Sequence, residues 1–173
     1  RQGGVSPAAP FSPRLPELEA FPFNDWARLL SRRWRNPPRQ YLVDGDPAGY
    51  RPLRDAIAHY LGAARAVRCD PAQILIVSGS QQALDIATRA LIDPGDSVWI
   101  EEPGYAGTVG ALIAAGADLA PVPIDDEGLD VAAGRARAPN ARLACVSPSH
   151  QYPLGVGMTL RRRLALLGWA RSA

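Results

Sequence analysis

The sequence predicts a parallel α/β fold, in which helices cover a sheet. Short runs of branched apolar residues alternate with longer stretches in which apolar residues recur at helical spacing. Such runs, with no polar interruption, are typical of strands buried on both faces of a parallel sheet. The chain has 173 residues, 47% of them hydrophobic, which is enough for a substantial core.

Each element is predicted from a local pattern. Residues 1–22 contain five prolines among glycine and serine and predict an extended leader, while residues 23–173 carry the periodic patterns. The predicted helices run from the cap Asn24 to about Arg35, from about Pro52 to Leu61, from Gln81 to Leu91, through Val109, Leu112 and Ile113, and from near Thr159 onward. The predicted strands are Ile74–Val77, Ser97–Ile100, Leu119 to Ile124, and Leu143 to Ser147. The last helix is expected to bury Leu160, Leu164, Leu167 and Trp169.

The charged residues limit the possible chemistry. All nineteen basic residues are arginine, and the net charge of +2 is too small to indicate a nucleic-acid surface. We expect the cluster Arg161–Arg163 to lie on a solvated helix face. A Schiff base to a carbonyl cofactor requires a side-chain amine, and this chain contains no lysine.

Cysteines and hydropathy give weaker expectations. Cys69 and Cys145 lack metal-ligand spacing, so no metal site is predicted, and Cys145 is expected to be a buried free thiol. No apolar stretch is long enough to span a bilayer, and the N-terminal residues lack the pattern of a signal peptide. We therefore expect a cytoplasmic protein without a membrane partner.

The junction between the first predicted strand and its helix is a candidate anion site. Ser78, Gly79 and Ser80 are small, so backbone N–H groups and hydroxyls can surround a ligand there. A helix N-terminus carries partial positive charge and free N–H donors, which suit a phosphate. The alternative is a plain turn in which Ser80 caps the helix.

Ligands of parallel α/β sheets bind beyond the carboxyl ends of the strands, and three candidate segments end there. These are Gly79–Gln81, the segment containing Tyr105, and the segment containing His150 and Gln151. Together they would suit a flat, phosphorylated, heteroaromatic ligand. Alternatively, Tyr105 is a packing residue, and His150 and Gln151 only bind their own loop.

Five ordered motifs resemble those of fold type I pyridoxal-phosphate aminotransferases. More closely, they resemble the aminotransferase-like domain of MocR/GabR-type regulators in the GntR superfamily. The motifs are Asp46-Pro47-Ala48-Gly49-Tyr50 with Leu53-Arg54, Ser78-Gly79-Ser80-Gln81-Gln82-Ala83-Leu84-Asp85, Asp93-Pro94-Gly95-Asp96, Glu101-Glu102-Pro103-Gly104-Tyr105, and Pro148-Ser149-His150-Gln151-Tyr152-Pro153-Leu154-Gly155. The resemblance implies that residues 23–173 are part of the three-layer sandwich of the transferase large domain.

The resemblance also implies roles for individual residues. Gly79, Ser80 and Gln81 would hold the phosphate of pyridoxal 5'-phosphate, and Tyr105 would lie against its pyridine ring. His150 and Gln151 would complete the cofactor site. Two positions depart from the enzymes' pattern. Tyr152 replaces the asparagine that bonds the cofactor's phenolic oxygen, and Asp44 replaces a tyrosine that reaches the neighbouring subunit's phosphate.

Other functional residues and domains of the family are not in this sequence. The resemblance places the aspartate that pairs with the pyridine nitrogen, the Schiff-base lysine and the substrate-binding arginine later in the chain. It implies that Ile74–Val77 pairs with later strands, that DNA binds only through a separate winged helix-turn-helix domain, and that the full-length protein is a homodimer. No catalytic residue is therefore predicted, and the chain alone is not expected to catalyse transamination.

Three functional hypotheses follow. The first is part of the effector domain of a transcriptional regulator that binds pyridoxal phosphate and an amino-acid-like effector. The motif Ser149-His150-Gln151-Tyr152-Pro153 favours it. The second is a fragment of an aminotransferase that acts on an amino acid, and the third is a fragment without function.

Overall fold

The computed structural model describes residues 17–172. These residues divide at Pro71 into two compact units, and each unit is described here by itself. Of the predicted leader, residues 1–16 lie outside the described residues. Within residues 17–172, no helix is both long and apolar enough to cross a membrane.

The first unit contains helices α1 (Phe23–Trp34) and α2 (Arg51–Arg65), with short 3-10 turns at Leu18–Ala20 and Arg39–Leu42. The prediction that Asn24 caps α1 is wrong. Pro22 is the cap residue, and its side chain makes no cap hydrogen bond. The helix α2 extends beyond Leu61 because Ala63, Ala64 and Arg65 continue it, until Ala66 takes a left-handed conformation.

A partly buried ion pair orders the loop before α2. Arg54 is buried on α2, and its guanidinium contacts the Asp46 carboxylate. The other oxygen of Asp46 accepts a hydrogen bond from Ala48 N at 2.8 Å. The Asp-Pro-Ala-Gly motif is therefore an Asx turn fixed to the helix that follows it.

The second unit is built on a four-stranded sheet. Its strands are β1 (Ser97–Glu102), β2 (Asp118–Asp125), β3 (Gly128–Leu129) and β4 (Leu143–Cys145). The strand order is β3-β2-β1-β4, with β1 parallel to β2 and β4 and with β3 antiparallel to β2. The helices are α3 (Ser80–Leu91), α4 (Ala106–Ala114), α5 (Val131–Arg137) and α6 (Leu160–Ala170), and a 3-10 turn spans Pro71–Gln73. The predicted α/β class is confirmed, with one antiparallel strand added.

Alternate residues of β1 belong to two separate cores. Val98 and Ile100 pack with Leu112 of α4, whereas Trp99 packs with β2, α5 and α6. The Trp99 ring stacks on Trp169 of α6 at a centroid distance of 4.0 Å. Helices thus cover both faces of the strand, as in the predicted parallel α/β class.

The predicted strand at Ile74–Val77 is wrong. The segment does not form a strand, and Leu75 is exposed. A strand requires a neighbour for its N–H and C=O groups, and no strand in the described part of the chain pairs with this one. High β propensity is therefore insufficient here.

The prediction for the last helix is correct in position but wrong in orientation. Leu160, Leu164 and Leu167 are 71%, 60% and 57% exposed, and only Trp169 of the predicted set is buried. The helix instead turns Arg162 and Trp169 inward, so the predicted solvated face of the arginine cluster is also wrong for Arg162.

Arg162 is held inside by the hairpin of β2 and β3. Its guanidinium donates to Asp125 Oδ2 at 2.7 Å and to the Leu129 carbonyl at 2.7 Å. Glu127 and Asp130 lie within 3.4 and 3.8 Å of the same guanidinium. These contacts fix α6 on the hairpin and require α6 to present Arg162 to the unit's interior.

Replacing Arg162 should destabilise the fold much more than replacing its neighbour. Arg162→Met leaves several carboxylates around an apolar side chain, and we expect a loss of about 3 kcal/mol in the free energy of unfolding. Arg161→Met, at a side chain that is 77% exposed, should cost less than about 1 kcal/mol. Urea unfolding monitored by circular dichroism measures both values, and equal losses would contradict the structural role of Arg162.

The same cluster should make stability depend on acid pH. Partial burial raises the pKa of Asp125, but hydrogen bonds from Arg162 and the Glu127 N–H outweigh it, so the net pKa is lowered. The hydrogen bond from Arg161 lowers the pKa of Glu127. Carboxylates with lowered folded pKa values stabilise the protein above about pH 4, and this stabilisation is lost as pH falls through the folded values.

We therefore expect the free energy of unfolding of the unmodified chain to fall between about pH 5 and pH 3. The Arg162→Met variant should show a smaller fall, because Asp125 loses its main charged partner. Urea unfolding across this pH range tests the expectation. Parallel curves for the two proteins would assign the pH dependence to other carboxylates.

Candidate functional site

The turn before α3 leaves its helix N-terminus open. Gly79 is the cap residue, with φ 151° and ψ 176°, and no side chain caps the helix. Ser80 is thus the first helical residue, and the alternative in which it caps the helix is wrong. Within residues 17–172, the N–H groups of Ser80, Gln81 and Gln82 and the Ser80 hydroxyl donate no hydrogen bond. These donors are free to bind an anion.

Backbone conformation explains the glycine. A φ of 151° is rare for residues with a side chain, and a Cβ at Gly79 would meet no heavy atom within 4 Å. The space beside the turn is therefore open, and strain, not crowding, selects glycine at this position.

Gln82 closes the other side of the turn. Its Oε1 accepts from Ser78 N at 2.6 Å and from Ser78 Oγ at 2.7 Å. A third-position side chain that reaches back in this way is similar to a capping box. Ser78 is consequently engaged within the turn, whereas the Ser80 hydroxyl remains available.

Gln81 connects this turn to Tyr105. Gln81 Nε2 donates to the Gly107 carbonyl at 3.0 Å, in the first turn of α4. A Cβ at Gly107 would lie 2.6 Å from Gln81 Oε1 and would also collide with the Tyr105 ring. A Cβ at position 107 would displace the Gln81 and Tyr105 side chains, so the predicted phosphate turn and the predicted aromatic residue are neighbours.

Tyr105 borders a cavity at the carboxyl ends of β1 and β4. The Tyr105 side chain is 36% exposed, and its ring meets Tyr152 edge to face at a centroid distance of 6.0 Å. The cavity has a volume of about 290 Å³ and is lined by Leu84, Ile100, Glu101, Tyr105, Thr108, Val109, Ala144, Cys145, Val146 and Ser147. An aromatic face next to open space could accept a planar ring.

Cys145 lines the same cavity as a free thiol. It is half-buried, where the sequence predicted a buried free thiol, and Cys69 is also free and half-buried. Burial, followed by the negative charge of Glu101, raises the pKa of Cys145. The thiol is therefore protonated at neutral pH and is a poor nucleophile.

His150 and Gln151 occupy different environments. Gln151 is 3% exposed, and its side chain bonds Glu101, the Pro103 and Tyr152 carbonyls and Leu154 N. His150 is exposed, and no described residue forms a hydrogen bond with its side chain. The structure thus brings Gln81 and Tyr105 together, joins Gln151 to their surroundings through protein contacts, and leaves His150 on the surface of the loop.

Sequence reasoning gave no individual role to Gln82, Gly107 and Glu101, although Gln82 and Glu101 stand in the quoted motifs. Gln82 has the capping-box spacing of three residues from the cap, but the cap is Gly79 and not serine or threonine. Glu101 carried a weaker signal, as an acidic residue at the end of a run that is otherwise apolar. The close approach at Gly107 involves the Gln81 side chain, 26 residues away, so no local pattern predicts it.

Comparisons with known proteins agree with the motifs. The sequence profile of the family described as aminotransferase class I and II matches residues 17–149. The probable rhizopine catabolism regulatory protein MocR of Rhizobium meliloti is 45% identical over 157 residues, which cover 91% of this chain and 31% of that protein. The uncharacterised HTH-type transcriptional regulator YdeL of Bacillus subtilis is 35% identical, over 87% of this chain and 32% of that protein.

A solved structure gives the same assignment. The α-aminoadipate aminotransferase LysN of Thermus thermophilus, complexed with N-(5'-phosphopyridoxyl)-L-leucine, superposes with a TM-score of 0.80 at 33% identity, covering 91% of this chain and 40% of that chain. Our chain spans about a third of the length of the curated regulators it matches. It is therefore part of an aminotransferase-like domain homologous to those of MocR-type regulators, and it belongs to the aminotransferase class I and II family.

Proposed function

We propose that this chain supplies the phosphate- and ring-binding part of a pyridoxal-phosphate-binding effector domain in a transcriptional regulator. The observation that carries the proposal is the open N-terminus of α3, with Tyr105 beside it. In the full-length regulator, an amino-acid-like effector, a homodimeric partner and DNA bound through a separate domain complete the function. A cytoplasmic location accompanies this proposal.

The donors at the turn fit a phosphate. The N–H groups of Ser80 and Gln81 and the Ser80 hydroxyl would donate to its oxygens, and the open side of Gly79 would admit them. The helix dipole adds favourable electrostatic energy for an anion. The donor set includes no lysine or arginine, so the binding is expected to be weak without further contacts from the rest of the protein.

The aromatic residues fit a pyridine ring. Tyr105 lies next to the Gln81 side chain, so a ring attached to a phosphate at the turn would reach the Tyr105 face. Tyr152 orients Tyr105 through an edge-to-face contact. When bound covalently to a lysine, pyridoxal phosphate acts as an electron sink in amino-acid chemistry. The residues of this chain bind and orient the group, and none of them supplies the lysine amine.

A fragment of an aminotransferase is the second candidate. Its support is the similarity to LysN and to the 2-aminoadipate transaminase of Thermus thermophilus, which is 35% identical over 89% of this chain. We favour the regulator because Tyr152 occupies the position of the enzymes' asparagine and because identity to the MocR protein is higher, at 45%. The complete coding sequence separates the two candidates. A winged helix-turn-helix before Arg1 supports the regulator, and its absence together with a downstream lysine and arginine supports the enzyme.

An acidic side chain at position 80 should abolish the phosphate site. Ser80→Glu places a negative charge at the turn, so we expect the affinity for pyridoxamine 5'-phosphate to fall at least tenfold through like-charge repulsion. Pyridoxamine 5'-phosphate is the appropriate probe because it has no aldehyde that could react with the N-terminal amine. Isothermal titration calorimetry measures the affinity.

Ser31→Glu is the matched control. Ser31 is exposed on α1, and this variant adds the same charge in the first unit. Its affinity should equal that of the unmodified chain. An acidic residue in the first turn of a helix does not destabilise the helix, so a loss in Ser80→Glu would not arise from unfolding. Equal affinities for all three proteins would show that the ligand binds elsewhere.

A further inference from the structure

We propose that Glu101 is a positioning residue for the ring-binding half of this site. Its carboxylate holds the loop of residues 147–155, so that Tyr152 stands against Tyr105. The inference rests on the proposed function, because it concerns the same cofactor site. It adds a residue whose role the sequence motifs did not indicate.

Glu101 is a buried acid whose hydrogen-bond donors are neutral. It is 6% exposed near the carboxyl end of β1. Its Oε1 accepts from Ser147 N at 2.9 Å, and its Oε2 accepts from Gln151 Nε2 at 3.2 Å. Within residues 17–172, no arginine or histidine forms an ion pair with it. Removing a carboxylate from water is costly, so hydrogen bonds from both donors are needed to offset the cost.

Gln151 connects Glu101 to the loop of residues 147–155 through further hydrogen bonds. Its Nε2 also lies within hydrogen-bond distance of the Pro103 carbonyl at 2.8 Å and of the Tyr152 carbonyl at 2.6 Å. The two N–H groups of Nε2 serve three acceptors, so the longer bond to Glu101 is shared with one of these carbonyls. Its Oε1 accepts from Leu154 N at 3.0 Å. One buried carboxamide therefore connects Glu101, the turn that leads to Tyr105, and the backbone of Tyr152.

The turn before Tyr105 depends on Glu101 as well. Gly104 lies against the backbone of Glu101, and a Cβ at position 104 would collide with the Glu101 carbonyl oxygen. Both tyrosines are thus placed relative to the same residue, one through the chain and one through Gln151. The phosphate turn at Gly79–Gln81 makes no hydrogen bond with Glu101 or Gln151, so the two halves of the site should respond separately to substitution.

The Glu101→Gln variant tests whether the phosphate turn and the ring-binding half of the site respond separately. The glutamine oxygen can still accept from Ser147 N, but its amide group would face the donor of Gln151. We expect the affinity for pyridoxamine 5'-phosphate to fall about tenfold, as is typical for loss of a hydrogen bond to a charged group. The affinity for inorganic phosphate, which uses only the α3 turn, should stay unchanged. Isothermal titration calorimetry measures both ligands on the full 173-residue chain.

Two further variants complete the experiment. Glu102→Gln changes the adjacent, exposed acid and should leave both affinities unchanged. Gln151→Ala removes this hydrogen bond together with those to Pro103, Tyr152 and Leu154, so the affinity for pyridoxamine 5'-phosphate should fall at least as far, with the affinity for inorganic phosphate again unchanged. Thermal unfolding of every variant, monitored by circular dichroism, accompanies the titrations.

Each other result overturns the inference in a recognisable way. A parallel fall in both affinities, or loss of cooperative unfolding in either buried-site variant, would make Glu101 a purely structural residue. Unchanged pyridoxamine 5'-phosphate affinity in Glu101→Gln would reject the inference and leave the proposed function intact. If the unmodified chain binds neither ligand, the proposed function fails, and the inference fails with it.

Discussion

Pairing of β1 on both of its edges is the constraint on which the rest of the second unit depends. Val98–Ile100 pair with β2 on one side and with β4 on the other, and all three residues are buried. Because these three strands are parallel, their carboxyl ends meet at one edge of the sheet. The segments that follow β1 and β4 are thereby brought together, and these segments carry Tyr105 and Tyr152.

The two faces of β1 explain why the helices lie where they do. The Trp99 ring packs against Trp169 and α5. Gly134 of α5 can lie close to this ring because it has no side chain, whereas a Cβ there would lie 2.9 Å from the ring. The opposite face packs against Leu112 of α4 and Ile92, so aliphatic side chains cover it. With α4 fixed, Gly107 in its first turn receives the Gln81 side chain from α3.

Local patterns predicted the elements that local forces determine. Apolar spacing and turn residues located α2, α3, β1 and β2 to within a few residues, because each has its own stop signal. The strand at Ile74–Val77 could not be judged in this way, since strand formation depends on a partner elsewhere in the chain. The orientation of α6 was missed for a similar reason. Its buried face is set by an arginine that finds carboxylates more than thirty residues away.

The candidate site also contains residues that local patterns predict and residues whose role depends on distant contacts. The turn of Gly79 and Ser80 and the aromatic Tyr105 could be predicted, because small residues at a helix start and an aromatic after a strand have direct chemical meanings. Glu101 could not, because its importance arises from Ser147 and Gln151, which are 46 and 50 residues away. Residues whose chemical type has a direct meaning were thus more evident in the sequence than a residue whose contacts are all distant along the chain.

The central claim is that the backbone amides at the start of α3 bind a phosphoryl group. Its most direct test is a titration of the uniformly ¹⁵N-labelled chain with inorganic phosphate, monitored by two-dimensional amide NMR spectra. The account predicts saturable shifts that are largest for the amides of Ser80, Gln81 and Gln82 and that share one dissociation constant. Largest shifts at the arginine-rich segments of α1 or α6, with the Ser80 amide unmoved, would contradict it.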